Sequence, residues 1–468
     1  ANFFELGGDS ILSLQIVARA RAQGWKISPR QLFEHQSVAE LAAVAQRVEG
    51  LAGAGWAQEA LGQALPLLPI QALFFEREMP RRDHWNQSVL LGCDGPLDAS
   101  ALRTALQAVI RHHDALRLRF KPDAQGAWTQ TCTAWDASHE ILWVRQVADE
   151  QALVACCEEA QRSLDLAEGP LLRAVLAGLA DGTSRLLLTA HHLVVDGVSW
   201  RILLDDLRAA YDLACAGLPP TLPPRTTSYG EWSRRLQDHA AQGLLNAELA
   251  HWRSLAGTPA DWPADHAHGS NVTGRAAQLR FELSAALTQQ LLKEAPAAYR
   301  TQVNDLLLTA VGRALCAWRG TASLLIDLEG HGREDLFDEV DCSRTVGWFT
   351  SVFPVRVRPA GPLGQAIRRV KEDLQAVPGR GLGFGLLGRW GDSVSREALA
   401  ALPRRDVVFN YLGQFDSRGT SADLGGEGGR AHWWPATESA GASSDPGTPF
   451  SHELAINGQV MDGVLSLS

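Results

Sequence analysis

Apolar residues recur along this chain with two alternating periods. Residues 185–190 (RLLLTA) form a short apolar run that reads as a strand. Residues 198–214 place Trp200, Leu203, Leu204 and Leu207 at helical spacing. Before this pair, the pattern predicts a helix over 101–109, a strand leading into Phe120, a helix over 150–163 and a strand over 171–179. Helices follow from Tyr229 and over 247–255. A polar stretch with Pro and Gly, 257–274, then interrupts the pattern. Beyond it come a strand over 277–283, a helix over 285–292, a buried helix over 304–312 and an apolar strand over 322–328. Residues 424–448 are rich in Gly, Ser and Pro, and strands resume over 453–467. Strands alternating with helices predict α/β sandwich lobes.

The first fifty residues differ in being helical throughout. A helix over 11–20 buries Ile11, Leu12, Leu14, Ile16 and Val17. Ser28-Pro29 is a cap followed by Pro at the first helical position. Ser37-Val38-Ala39-Glu40 is a capping box opening a helix over 38–46. Residues 49–64 are rich in Gly and Ala without a period and read as a linker. The expected division is a helical unit over 1–48, the linker over 49–64, one α/β lobe over 65–256 and a second over 257–468. Both ends fall inside compact patterns, so a fragment of a longer protein is expected.

Composition narrows the function classes. The 468 residues carry a net charge of −10, which does not suggest a nucleic-acid or anionic-membrane surface. Seven cysteines lie at irregular spacings with no CxxC pair, which argues against a disulfide framework or a zinc site and fits a reducing cytosol. No apolar run reaches the length of a membrane span and no signal peptide opens the chain, so a cytoplasmic location is expected.

Candidate chemistry gathers where strands end. His191 and His192 fall at the end of the 185–190 strand, with Asp196-Gly197 able to fix the loop by pairing with a cation. Glu329 sits at the end of the 322–328 strand, framed by Gly330 and Gly332. Desolvation in a cleft would raise its pKa and make it a stronger base. Ser10 lies at or just inside a helix start, where a phosphodiester would be favoured by free N–H groups and the dipole. His112-His113 reads as structural. Residues 383–388 spell GxGxxG, but no strand precedes them, which rules out a dinucleotide-binding loop.

These residues lie in motifs that resemble a known family. FFELGGDSILSLQIVARARAQG is similar to the core of a peptidyl carrier protein of non-ribosomal peptide synthetases. The rest resembles an epimerization domain of the condensation-domain superfamily. It carries PIQALFF and HWNQS from Pro69 and His84, HHLVVDG from His191, and DLLLTAVG from Asp305. EGHGRE from Glu329, TVGWFTSVFP from Thr345 and FNYLGQFD from Phe409 follow in order. Phe384 replaces the Tyr of PxxGxGYG. The family's first carrier helix and its last helix have no counterpart within these residues.

The resemblance implies two chloramphenicol-acetyltransferase-like α/β lobes in a V, with the site in the cleft between them, preceded by a partial helical carrier domain. It implies 4′-phosphopantetheine on Ser10, a carrier in cis, and an upstream adenylation and a downstream condensation domain as partners. It implies L-to-D epimerization at Cα of an aminoacyl or peptidyl thioester, with His192 and Glu329 as catalytic groups and no metal. Asn410 and Tyr411 would hydrogen-bond the enolate oxygen or complete proton transfer. His191, Asp196, Gly197 and Arg117 would support them, Arg117 by pairing with Asp196. A peptide-bond-forming condensation domain shares HHxxxDG, but its DFGWG motif is absent. A non-catalytic partner-recruiting relative would lack the histidine and the glutamate.

Overall fold

The computed structural model describes residues 2–3, 8, 10–47, 57–266, 268–415 and 433–468. Gly7, Asp9 and the side chain of Ser10 lie outside the described residues, as does the first half of the linker, residues 49–56.

The helical unit contains α1 (Ser10–Ala22), α2 (Pro29–Glu34) and α3 (Val38–Val44). The Ser37–Glu40 capping box forms, and the Ser28 cap proves to be a second one with Gln31, so the two short helices start where their caps dictate. The last helix ends earlier than its periodicity suggested, because Gln46–Arg47 pairs instead with Trp25–Lys26. Val17, Ile27 and Leu32 form a small core of their own, whereas Leu14 joins the core of the main body. The unit is held against that body by an Arg21–Asp341 ion pair, by the Arg30 backbone N–H on Asp335 (2.9 Å) and by the Arg380 guanidinium 4.0 Å over the Phe33 ring.

The front lobe is entered through α4 (Pro69–Glu76). Its sheet contains β1 (Asn86–Cys93), β2 (Leu142–Gln146), β3 (Leu172–Gly178) and β4 (Ser184–His191). Helices α5 (Ala99–His112), α6 (Glu150–Gln161) and α7 (Gly197–Cys215) cover it. After α8 (Tyr229–Ala241), the back lobe has α9 (Val303–Arg319), β5 (Leu324–Gly330), β6 (Ser351–Val357), α10 (Leu363–Gln375) and α11 (Leu382–Trp390). Strands β7 (Val407–Phe415), β8 (Trp433–Pro435), β9 (Leu454–Met461) and β10 (Val464–Leu467) complete the chain. The back sheet runs β10-β9-β7-β5-β6, and β7 is parallel to both neighbours. One continuous hydrophobic core spans both lobes.

Three expectations change. The strand over 277–283 reduces to Phe281–Glu282, paired with Leu467 and Ser466 at the sheet edge, while Leu279 stands 87% exposed. The helix after it continues past residue 292 to Tyr299 through a π-turn. Among the described residues, the chain crosses the lobe boundary at β8, which pairs with β1 and extends the front sheet to β8-β1-β4-β3-β2. The crossing is fixed by Trp433, which is buried against Tyr211 and under Arg208, and by Gly92. A Cβ at Gly92 would lie 2.4 Å from the Trp434 ring, so only glycine admits that strand. The GxGxxG run lies inside α11, as expected of a sequence that is not a phosphate-binding loop. Among the described residues, no helix is long and apolar enough to cross a membrane.

Candidate active site

His192 is the residue immediately after β4, and its backbone N–H donates to the Trp85 carbonyl (3.0 Å). Its ring stacks on Trp85 (centroids 4.6 Å, 15°) and meets Trp348 at 4.6 Å. The hydrogen-bond chain fixes its tautomer. The Trp200 indole can only donate, and it donates to Gln87 Oε1 (3.0 Å). The Gln87 amide nitrogen therefore faces His192 Nε2 (3.0 Å) as a donor. Nε2 must accept, and Nδ1–H donates to the Val195 carbonyl (2.9 Å). Burial lowers the His192 pKa, in keeping with a neutral ring. His191 is different. It is fully buried, with Nε2 on the Arg82 carbonyl (2.8 Å) and Nδ1 accepting from the Leu193 N–H, and burial pushes its pKa to about 3. It holds the turn and does not line the cleft. Gly197 opens α7 and lines the cleft.

Asp196 caps α7 and is buried, but its cation is not Arg117. Arg333 forks onto it, Nη1 to Oδ2 at 2.7 Å and Nη2 to Oδ1 at 3.1 Å. Arg117 instead pairs with Asp114 (2.5 Å) and the Thr133 carbonyl. The turn that carries Arg117, Asp114–Arg117, folds back on its own first residue, which captures the guanidinium locally. Arg333 lies in EGHGRE, so the pair joins the two lobes. The Ser199 N–H and hydroxyl and the Phe349 N–H also bond the carboxylate. Burial pushes the Asp196 pKa up, but the Arg333 charge and these donors outweigh it and hold the group below its ordinary value. His112 and His113 also stay away from the cleft. His113 bonds buried Asp206 (2.9 Å), which Arg344 also contacts.

Glu329 lies near the end of β5 and Asn410 on neighbouring β7. Asn410 Nδ2 donates to Glu329 Oε2 at 2.7 Å. The Glu329 side chain opens onto the cleft void while protein encloses it. That desolvation raises its pKa, with a nearby Asp327 adding to the rise and His452 and Arg77 opposing it. A carboxylate shifted upward, with one oxygen held by an amide, is better suited both to take and to return a proton.

His192, Glu329, Asn410 and Tyr411 line one cleft of about 1540 Å³, which reaches from the front lobe to the back. Asn2, Gly8, Phe33 and Gln36 of the helical unit line it too. The sequence reading missed Gln87, Trp348 and Arg333 as parts of the site, although each lies inside a motif it had singled out. The usable signal for Gln87 was register. In the β1–β4 ladder Asn86 lies opposite His191, which brings Gln87 beside the strand end that carries His192.

Comparisons with known proteins bear on this arrangement. Residues 62–432 match the condensation domain family, and residues 1–45 match the phosphopantetheine attachment site family. One linear gramicidin synthase polypeptide of Brevibacillus parabrevis is 41% identical over 100% of this chain and 9% of that protein. Chondramide synthase cmdD of Chondromyces crocatus is 44% identical over 100% of this chain and 12% of that protein. The chain thus spans about a tenth of the length of these relatives. The crystal structure of the epimerization domain from the third module of tyrocidine synthetase B superposes with a TM-score of 0.80 at 34% identity, covering 89% of this chain and 92% of that one. The first condensation domain of the CDA synthetase shares the fold, with a TM-score of 0.62 at 17% identity.

Proposed function

This chain belongs to the condensation-domain family of non-ribosomal peptide synthetases, with a phosphopantetheine-attachment segment ahead of the domain, and from that premise we propose that it inverts Cα, L to D, in an aminoacyl or peptidyl thioester carried on Ser10. The observation that carries this reading is Glu329, bonded to Asn410 and sharing one cleft with His192. Inversion requires a proton removed from one face of Cα and one returned to the other, so it asks for two groups on opposite walls. His192 comes from the front lobe and Glu329 from the back.

The residues present fit a pantetheine arm. Ser10 opens α1, and Gly8, two residues before it, already lines the cleft that contains Glu329. When bound there, the arm supplies a thioester, which acidifies the Cα proton. Glu329 takes or returns that proton, and the upward shift of its pKa suits both tasks. His192, stacked between Trp85 and Trp348, serves the opposite face with its orientation set by Gln87 and Val195. Tyr411 and Asn410 are placed to bond the charge that develops on the thioester oxygen. The 34% identity to an epimerization domain supports this reading over condensation. The carrier acts in cis, between an upstream adenylation and a downstream condensation domain in the assembly line.

The test uses the full chain, loaded with an L-aminoacyl pantetheine on Ser10 and incubated in deuterated water with no acceptor amine. A D/L mixture with deuterium at Cα is expected, and loss of both in Glu329→Gln and His192→Ala. Exchange at the wild-type rate in both variants would refute the assignment. Retention of L with no exchange in the wild type would favour condensation.

A further inference from the structure

Glu329 has a charged neighbourhood on its own sheet that the proposed reaction does not use. Asp327 lies two residues earlier on β5, so its side chain points to the same face as Glu329. It is 4% exposed and held from both sides. Arg405 Nε donates to Oδ1 at 2.8 Å, and His452 Nε2 meets Oδ2 at 3.0 Å. His452 Nδ1 lies 2.9 Å from the Ser451 hydroxyl. A hydroxyl can donate to a neutral ring or accept from an imidazolium, so the site leaves neither state with an unmet nitrogen. The ring cannot drift away. Its segment is anchored by the Glu453 and Leu454 N–H groups on the Asp406 carbonyl (2.8 and 3.0 Å) and by Asn271 on the His452 carbonyl (3.3 Å). Asp327, Glu329, Arg405 and His452 all line the same cleft.

We propose that Arg405, Asp327 and His452 form a positioning triad which, through the charge on His452, sets whether Glu329 stands in the cleft as a carboxylate. The reasoning is electrostatic. Arg405 fixes the Asp327 carboxylate, whose charge by itself disfavours a second carboxylate on the same strand face. A positive charge at position 452 offsets Asp327 and favours ionised Glu329. Without that charge, Glu329 faces Asp327 with less compensation and holds its own proton more tightly. The other groups around the pair are Arg77 from the end of α4, which also favours the carboxylate, and Asn410 on β7. Arg404, Asp406 and Glu453 pair among themselves beside the triad. His452 acts through Glu329 and does not touch the reacting carbon.

The consequence for turnover rests on the epimerization reading, but the test does not. The ¹³C carboxyl signal of Glu329, assigned by its loss in Glu329→Gln, is titrated in the full chain. In His452→Gln the midpoint is expected to rise by about one pH unit. In His452→Lys, which keeps a positive charge, it is expected to stay at or below the wild-type midpoint. His452→Asn is read in the same way as His452→Gln if the latter does not fold. An unchanged midpoint in the Gln or Asn variant, or a rise in the Lys variant equal to theirs, overturns the proposal. The acidic limb of Cα proton exchange is expected to move by the same amount. If the wild type exchanges no proton, the reaction assignment fails, while the carbon titration still decides the triad.

Discussion

The buried Asp196–Arg333 pair invites a quantitative test, because it joins the two lobes and replaces the partner expected from sequence. Asp196→Asn keeps the side-chain shape and removes the charge. The carboxylate accepts five hydrogen bonds, from Arg333 Nη1 and Nη2, the Ser199 N–H and hydroxyl, and the Phe349 N–H, over 2.7–3.1 Å. An asparagine can accept through only one oxygen, and its NH₂ would face a guanidinium that is 3% exposed. Arg333 would keep the Thr345 carbonyl, the Ser199 hydroxyl and the Phe349 ring at 4.0 Å. Breaking one side of a buried pair costs about 3–5 kcal/mol, a large part of the roughly 5–15 kcal/mol that holds a domain folded. Urea unfolding followed by the fluorescence of the 15 tryptophans reads the loss. In a double-mutant cycle, Asp196→Asn and Arg333→Met together should cost less than their sum by about 2 kcal/mol, whereas Asp196→Asn and Arg117→Met should add. A cost below about 1 kcal/mol for Asp196→Asn, or coupling to Arg117 in place of Arg333, would refute the account. The pH dependence has a definite sign. The folded pKa of Asp196 lies below the unfolded one, so the folded state binds fewer protons. The pair's contribution is complete above the ordinary carboxylate range and is lost as pH falls through the depressed folded pKa. Asp196→Asn should flatten that acid limb.

Two further outcomes follow from the site. Gln87→Glu replaces the donor facing His192 Nε2 with an acceptor, so it should raise the histidine's midpoint. A ¹⁵N titration of the ring would show this, and no change would mean that Gln87 does not set the tautomer. If the proposed reaction holds, charge reversal at Asp335 and Asp341 should slow it on the substrate carried in cis, yet leave turnover of a free pantetheine thioester intact, since these residues meet α1 and α2 and not Glu329. Equal loss on both substrates would count against that interface.

Much of this protein could be read from local pattern, because a strand or helix is announced by periodicity within ten to twenty residues. The α/β alternation, the Ser28 cap, the Ser37 capping box and the placement of His192 and Glu329 at strand ends all depend on neighbours in sequence. The motif order likewise pointed to the family. The edge strand over 277–283 shows the limit. Its residues have strand character, but only the last three, Phe281 to Leu283, meet the adjoining strand, and a strand without a partner leaves its backbone in water.

Tertiary structure alone decided which groups share a buried volume. Asp196 and Arg333 are 137 residues apart, and no local period reports that they meet. Arg117, with the right charge and a motif of its own, is captured by Asp114 three residues away. The neutral state of His192 depends on a chain through Gln87 and Trp200, the setting of Glu329 on Asn410, Asp327 and His452, and the crossing of β8 on the absence of a side chain at Gly92. Each depends on desolvation and on hydrogen bonds between distant segments. These act only after the lobes have packed, so the sequence determined the elements and their chemistry, and the packing chose the partners.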